Sequence, residues 1–325
     1  MRIVFLFLLL SLSFQSFTAT LSERFLLMGT AVEIKVSGRE RKETLHSILR
    51  NTRFYMESLA LLLSSYNSQS EISRINEAKA NTKIEVSPVT SYIIKESLEI
   101  SRLTGGSFDI TVFPLVKLWG FFKEQRNTPP PSSKIEALLP DVGYYYLKVL
   151  PSGEVVKLKD EVKITLSGIA KGFIVDEGIR FLKERKITTA LINAGGDLRV
   201  YGKRWKIGIA DPRGSRRVIG VITIKEGAVA TSGDYQRFWI YKGKRYHHII
   251  NPRTGYPASS GIISATVISP DCMRADALAT ALIVKGEKGF SWLNDKESAL
   301  LIKEENGKIQ LISSPNMKKY FKRLR

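Results

Sequence analysis

Apolar residues recur at helical spacing over ERKETLHSILRNTRFYMESLALLL (40–63), which predicts an amphipathic helix. A second helix is expected over VTSYIIKESLEISRL, started by Ser87-Pro88 and stopped by Gly105-Gly106. The alternating apolar positions of RFLLMGTAVEIKVSG (24–38) predict one strand holding a Met-Gly-Thr kink. SSYNSQSEISRIN (64–76) is polar enough to read as a loop. Strands are expected at 154–158 and 162–166, a helix over 169–185, and a strand at TTALINAG (188–195). IISATVIS (262–269) reads as a strand leading to a helix near Cys272. LLIKEENGKIQLI reads as a hairpin turning at Asn306-Gly307. QRNTPPPSSKI (125–135) has the proline run and polarity of a mobile excursion, and MKKYFKRLR forms a basic tail. There is no internal repeat, and strands alternate irregularly with helices. The pattern points to an α+β protein of mixed sheets packed with helices, not to a doubly wound parallel sheet.

The first residues break from this pattern. Arg2 precedes IVFLFLLLSLSF (3–14), followed by polar QSFTATLS, with no further charge until Glu23. A short positive start, an apolar run and small polar residues describe an export signal. The uncharged stretch is also roughly long enough to span a bilayer. Residues 1–20 are therefore expected to be a signal peptide or an N-terminal anchor, and 21–325 a single large domain. No Cys follows the apolar run, which excludes lipoprotein processing. The body is expected to work in the periplasm or tethered to the outer face of the cytoplasmic membrane.

Hydrophobic residues make up 43% of the 325 positions and charged residues 25%, which excludes a disordered scaffold and a polytopic membrane protein. Fifty Lys and Arg against 31 Asp and Glu give a net charge of +19, which draws the chain towards anions. Phosphorylated ligands and an anionic membrane surface fit that charge. Nucleic acid is not expected as a partner, because no recognised nucleic-acid module accompanies the charge and export removes most such partners. One Cys excludes an internal disulfide, and three His (His46, His247, His248) disfavour a zinc site. A metal here would be held by oxygen, which means Mg²⁺ or Ca²⁺.

The common nucleotide loops, H-E-x-x-H and C-x-x-C are all absent. In ITLSGIAKGFIVDEG (164–178), a strand runs through Ser167-Gly168 into a helix with Lys171-Gly172 in its first turn. Such a start presents unpaired N–H groups and a positive dipole to an anion, and Lys171 adds a point charge; a plain strand–helix corner fits equally well. In CMRADALATALIV, Asp276 and Thr280 are four apart, so carboxylate and hydroxyl share one face and form part of a Mg²⁺ shell, or else a solvated helix face. Small Ala275, Ala277 and Ala279 leave room around that polar face, and Leu278 belongs to the core. In YHHIINPRTGYP (246–257), adjacent His247 and His248 point to opposite sides of a strand. One reads as structural, and the other as a base facing a site. In GGSFDITVFPLVKLWGF (105–121) the aromatics suit core packing, and Asp109 among apolar neighbours requires a partner.

Together these segments resemble the ApbE-type FAD:protein FMN transferases. The match runs from MGT (28–30) through SYNSQSEISRIN, GGSFDITVFPLVKLWGF, LSGIAKGFIVD, INAGGDLRVYG, WKIGIADP, AVATSGDYQRF and HHIINPRTGYP to RADALATAL. The resemblance implies transfer of the FMN half of FAD to a Thr hydroxyl of an acceptor redox protein, with Mg²⁺, releasing AMP. It puts flavin or adenylate contacts at Met28, Tyr66, Ser107, Phe108, Asp109, Lys171 and Ile250. Metal ligands would be Asp276, Thr280 and the carbonyl of Gly168, and His248 aligns with a His near the reacting phosphate. The base would be His248 or Asp276. Thr165, counted among the cofactor contacts, stands where many members have Asp, and Ser167 stands where many have Gly. Thr231 in GAVATSG reads as structural. The alternatives are a FAD pyrophosphatase, with water as acceptor, and a periplasmic flavin-binding protein.

Overall fold

A computed structural model describes residues 19–123, 126–214, 217–305 and 308–324. The apolar run 3–14 and the Asn306-Gly307 turn lie outside the described residues. The first elements are β1 (Ala19–Leu27) and β2 (Thr30–Gly38). They correct the expected single kinked strand. Met28 (φ 52°) and Gly29 (φ 73°) both take left-handed backbone, as a two-residue hairpin turn of the right twist requires. Next comes α1 (Lys42–Leu62), which buries Leu45, Leu49, Met56 and Leu59 on one face. The polar 64–76 stretch is not all loop. The Ser70 hydroxyl accepts from Ser73 N at 3.0 Å and starts α2 (Glu71–Glu77), whose Ile72 and Ile75 are wholly buried.

The helix α3 (Pro88–Leu103) stops at Gly105 and Gly106, both at positive φ. Two short helices follow, α4 (Phe113–Leu118) and α5 (Ser132–Leu138). The second takes up the end of the expected mobile excursion 125–135, where Ile135 is fully buried and packs against Gly255; Gln125 lies outside the described residues. A small ribbon comes next, β3 (Leu147–Val149) with β4 (Val155–Lys157). The strand expected at 162–166 does not form, although Val162, Ile164 and Leu166 are buried. Ile164 N donates to Asn76 Oδ1 at 2.6 Å and Asn76 Nδ2 donates to Ile164 O at 2.9 Å. A side-chain amide thus satisfies the backbone where a neighbouring strand was expected.

The second half contains α6 (Ala170–Glu184), β5 (Thr189–Ala194), β6 (Asp197–Tyr201), β7 (Trp205–Ala210), β8 (Val218–Ile224) and β9 (Gly227–Gly233). The chain continues through β10 (Phe238–Tyr241), β11 (Lys244–His247), β12 (Ile262–Ser269) and α7 (Cys272–Lys285). It closes with β13 (Ser298–Glu305), β14 (Lys308–Ser313) and β15 (Phe321–Arg323). Eight strands form one sheet in the order β1-β2-β5-β6-β9-β12-β13-β14, every pair antiparallel. The architecture is α+β, as expected. The C-terminal stretch is no free tail: β15 pairs with β8 and Met317 is fully buried.

Helices α1, α6 and α7 cover one face of the large sheet, and β15-β8-β7 covers the other. All eight residues of β12 are buried for that reason. On one side Ala265 and Val267 meet Leu278 and Leu282 of α7; on the other Ile268 meets the cluster of Ile222 and Leu300. Each of the Val, Leu and Ile side chains contributes about 1.5–3 kcal/mol by leaving water. Among the described residues, no helix is long and apolar enough to cross a membrane.

Candidate active site

The starts of α6 and α7 hold each other. Asp176 of α6 accepts from Cys272 N at 2.9 Å and Met273 N at 2.8 Å, capping α7, whose own Asp271 makes no side-chain cap. Asp276 of α7 returns the contact, accepting from Gly172 N in the first turn of α6 at 3.2 Å. Only Gly fits at 172, because a Cβ there would lie 2.3 Å from Cys272 O. Burial pushes the Asp176 carboxyl up to about 6, against Arg199, whose Nη1 is 2.6 Å away, and against the two N–H groups.

This locking brings Gly168, Lys171, Asp276 and Thr280 together. A Cβ at Gly168 would lie 3.3 Å from Thr280 Oγ1 and 3.4 Å from the Phe108 ring. Thr280 Oγ1 also lies 3.2 Å from Ser232 Oγ on β9. Lys171 is ion-paired with Asp197, the first residue of β6. Burial opposes the Lys171 ammonium, but Asp197 and then Asp276 outweigh it and hold the group above the usual lysine value. Burial, and then the Asp197 carboxylate, push Asp276 up to about 7 against the pull of Lys171.

Among the described residues, no group of three or more His, Cys, Asp or Glu is placed to hold a metal. The donors that converge are one carboxylate, one hydroxyl and the backbone at Gly168. Asp276 Oδ2 takes Gly172 N–H, while Oδ1 accepts no hydrogen bond among the described residues. Such a sparse, all-oxygen set suits Mg²⁺, which keeps several waters and relies on substrate phosphate.

A second group forms the rim. The side chain of Arg237 joins it, since Nη1 donates to Tyr66 Oη at 3.3 Å and Nη2 would meet a Cβ at Gly29, beside Met28, at 3.5 Å. The Tyr66 ring lies 4.3 Å from that of Phe122. His248 N donates to Arg237 O at 3.0 Å, and His248 Nδ1 lies 3.2 Å from the same oxygen. An Nδ1–H pointed at a carbonyl leaves the lone pair on Nε2. Protein packed around the ring, and then His247, push the His248 imidazole well below the usual histidine value, so it is neutral. His247 is tied into the fold instead: Nε2 meets Ala258 O at 3.0 Å and Nδ1 accepts from Ile249 N at 3.3 Å.

The remaining expected contacts are more embedded. Asp109 has the partners that its surroundings demanded, and all are protein. Oδ1 accepts from Thr111 N at 2.8 Å and Oγ1 at 2.6 Å, and Oδ2 accepts from Tyr144 N at 2.8 Å. Ser107 and Phe108 are buried directly after the Gly-Gly stop, and the Phe108 ring reaches Gly168. Thr165 is buried with Oγ1 3.3 Å from Ser65 Oγ, next to Tyr66. Ile250 packs with Leu115, Trp119 and Trp239. Thr231 Oγ1 bonds Thr266 Oγ1 at 2.9 Å, away from α7, in agreement with a structural reading. Ala275 and Ala279 are buried against the sheet, so they let α7 approach it and do not open space around the polar face.

The ApbE family model matches residues 28–302. The chain belongs to the ApbE family. It is 32% identical to the FAD:protein FMN transferase of Vibrio cholerae over 297 residues, covering 88% of this chain and 89% of that protein. It is 32% identical to that of Haemophilus influenzae over 310 residues, covering 88% of each. Among solved structures, an ApbE protein from Thermotoga maritima superposes with a TM-score of 0.84 at 35% identity, over 93% of this chain and 99% of that one. The flavin transferase ApbE from Vibrio cholerae does so with 0.84 at 30% identity and the same coverage.

Sequence reasoning missed four residues of this ApbE-family site: Asp197, Asp176, Ser232 and Arg237. Asp197 had a signal, a buried acid straight after Gly195-Gly196 at the start of a strand. Asp176 looked like any polar residue on an amphipathic helix. Ser232 and Arg237 carry no local mark, because their partners Thr280 and Tyr66 are far away in the chain.

Proposed function

We propose that this chain is an FAD:protein FMN transferase that moves the FMN half of FAD onto a Thr hydroxyl of an acceptor protein, with Mg²⁺, releasing AMP. The observation that carries the reading is the mutual capping of α6 and α7, which gathers Asp276, Thr280, Gly168 and Lys171 at one point. Asp276, Thr280 and the Gly168 carbonyl would hold Mg²⁺, which neutralises developing charge on the pyrophosphate when bound. Lys171 and the positive end of α6 stabilise phosphate oxygens. In the reaction, the Thr oxygen attacks the FMN-side phosphorus, the bond to the bridging oxygen breaks, and AMP leaves. The Thr proton passes to the Nε2 lone pair of His248 or to Asp276, whose raised value suits a base near neutral pH. Met28, Tyr66, Ser107, Phe108 and Ile250 would line the flavin and adenylate path, with Asp109 and Thr165 shaping it from behind.

The family match over 28–302 supports residues 21–325 acting as one transferase unit. The apolar run 3–14 supports work outside the cytoplasm, in the periplasm or tethered to the membrane, where the +19 charge favours an anionic surface. The test is mass spectrometry of a candidate acceptor after incubation with FAD and Mg²⁺. The acceptor should gain FMN on one Thr, with one AMP released per transfer. Free FMN and AMP with a competent acceptor present would replace this reading with a pyrophosphatase.

A further inference from the structure

The β10–β11 ribbon pairs only with itself among the described residues. One face packs inward. Trp239 and Tyr246 stack at 4.5 Å, and Tyr246 lies 5.5 Å from Trp119. The opposite face presents Phe238, Ile240 and Arg245, with Ile240 59% and Phe238 37% exposed. From Tyr235 to Pro270 the chain has no acidic residue, yet it carries Arg237, Lys242, Lys244, Arg245 and Arg253. None of the five enters a salt bridge among the described residues. The Arg245 guanidinium lies 3.8 Å over the Phe238 ring, and its buried Nη1 finds no acceptor among the described residues. A guanidinium held on a ring face, with no carboxylate paired to it among the described residues, is prepared for one.

The ribbon's open end is the site itself. Arg237 precedes β10 and His248 follows β11, and they are joined at Arg237 O. The geometry points to this ribbon as the dock for an extended, acidic segment of the acceptor protein, which leads its Thr to His248. This inference rests on the transfer reading above. Carboxylates meet the unpaired cations, apolar residues cover Phe238 and Ile240, and an extended segment can pair with a free strand edge. A lipid surface would use the cations but not the edges.

The test uses the full chain and two labelled extended peptides: one Thr flanked by Asp residues, and a twin with Lys for each Asp. Fluorescence anisotropy should show the Asp peptide binding about tenfold tighter or more, with the preference shrinking as salt rises. Ile240→Asp and Arg245→Glu should each weaken the Asp peptide about fivefold or more. Both variants should leave FAD binding and thermal unfolding unchanged. Equal binding of the twins, or binding indifferent to both variants, overturns the inference. So does capture of anionic vesicles that both variants abolish while neither peptide binds. Mass spectrometry of the peptide after FAD and Mg²⁺ reads the transfer reaction separately. A docked peptide without flavin sinks the transfer reading alone, and a flavin-bearing peptide indifferent to both variants sinks the dock alone.

Discussion

At the α6–α7 junction the charged groups face opposite charges or helix ends: Lys171 with Asp197, Asp176 with Arg199 and α7, Asp276 with α6. On the β10–β11 ribbon no cation enters a salt bridge among the described residues, and Phe238 and Ile240 stand in solvent. The junction pairs its charges within the fold, because its polar groups are buried and an unpaired charge would be costly, and leaves Asp276 Oδ1 as its open oxygen among the described residues. The ribbon is exposed, so its unmet charges cost little until a partner arrives. On the proposed reading, positioning of the phosphates would be a property of the fold, and choice of the acceptor a property of the surface.

The sharpest test of that division is Asp276→Asn. Asn keeps an acceptor for Gly172 N–H but loses the carboxylate, so transfer should fall on the order of a thousandfold with little change in unfolding temperature. Single-turnover rates at fixed Mg²⁺ read the loss, and rates near wild type would remove Asp276 from the site. Thr280→Ala should cost less, since a neutral hydroxyl holds a divalent ion more weakly than a carboxylate does. His248→Ala comes next. Turnover should drop about a hundredfold with the Mg²⁺ dependence unchanged, because the ring belongs to the rim. A shifted Mg²⁺ requirement would instead place His248 with the metal.

Gly172→Ala strikes the junction through packing. The added methyl meets Cys272 O, so the helices must separate, at about 2–3 kcal/mol in denaturant melts. Unchanged stability would show that the two helix starts are not in contact. The smallest effect concerns His247. Burial lowers its proton affinity in the folded chain, so the unfolded chain takes up a proton first as pH falls below 6.5. Its contribution is complete above that value and is lost on acidification. The raised Asp176 and Asp276 carboxyls titrate in the same range with the opposite sign, so the readout is the difference: from pH 7 to pH 5 the urea midpoint of the wild-type chain should shift downwards relative to that of His247→Gln.

Periodicity was enough to place α1, α3, α6 and α7, because an apolar stripe every three to four residues is a local property that burial then exploits. It also put Asp276 and Thr280 on one helix face, since residues four apart lie one turn apart whatever surrounds them. Strand identity was less legible. Met28 gives no warning that it enters left-handed backbone, so a hairpin looked like one strand, and an Asn side chain took the place of a sheet neighbour for 162–166. Nothing local announces that Lys171 finds Asp197, that Asp176 caps α7 or that Arg237 joins Tyr66 to His248. Those pairings depend on the order of strands in the sheet and on two helices pressed together at Gly172. The sequence by itself determined which residues carry chemistry and which faces are buried; the tertiary structure decided which of them meet, because contacts between distant segments leave no periodic trace in the chain.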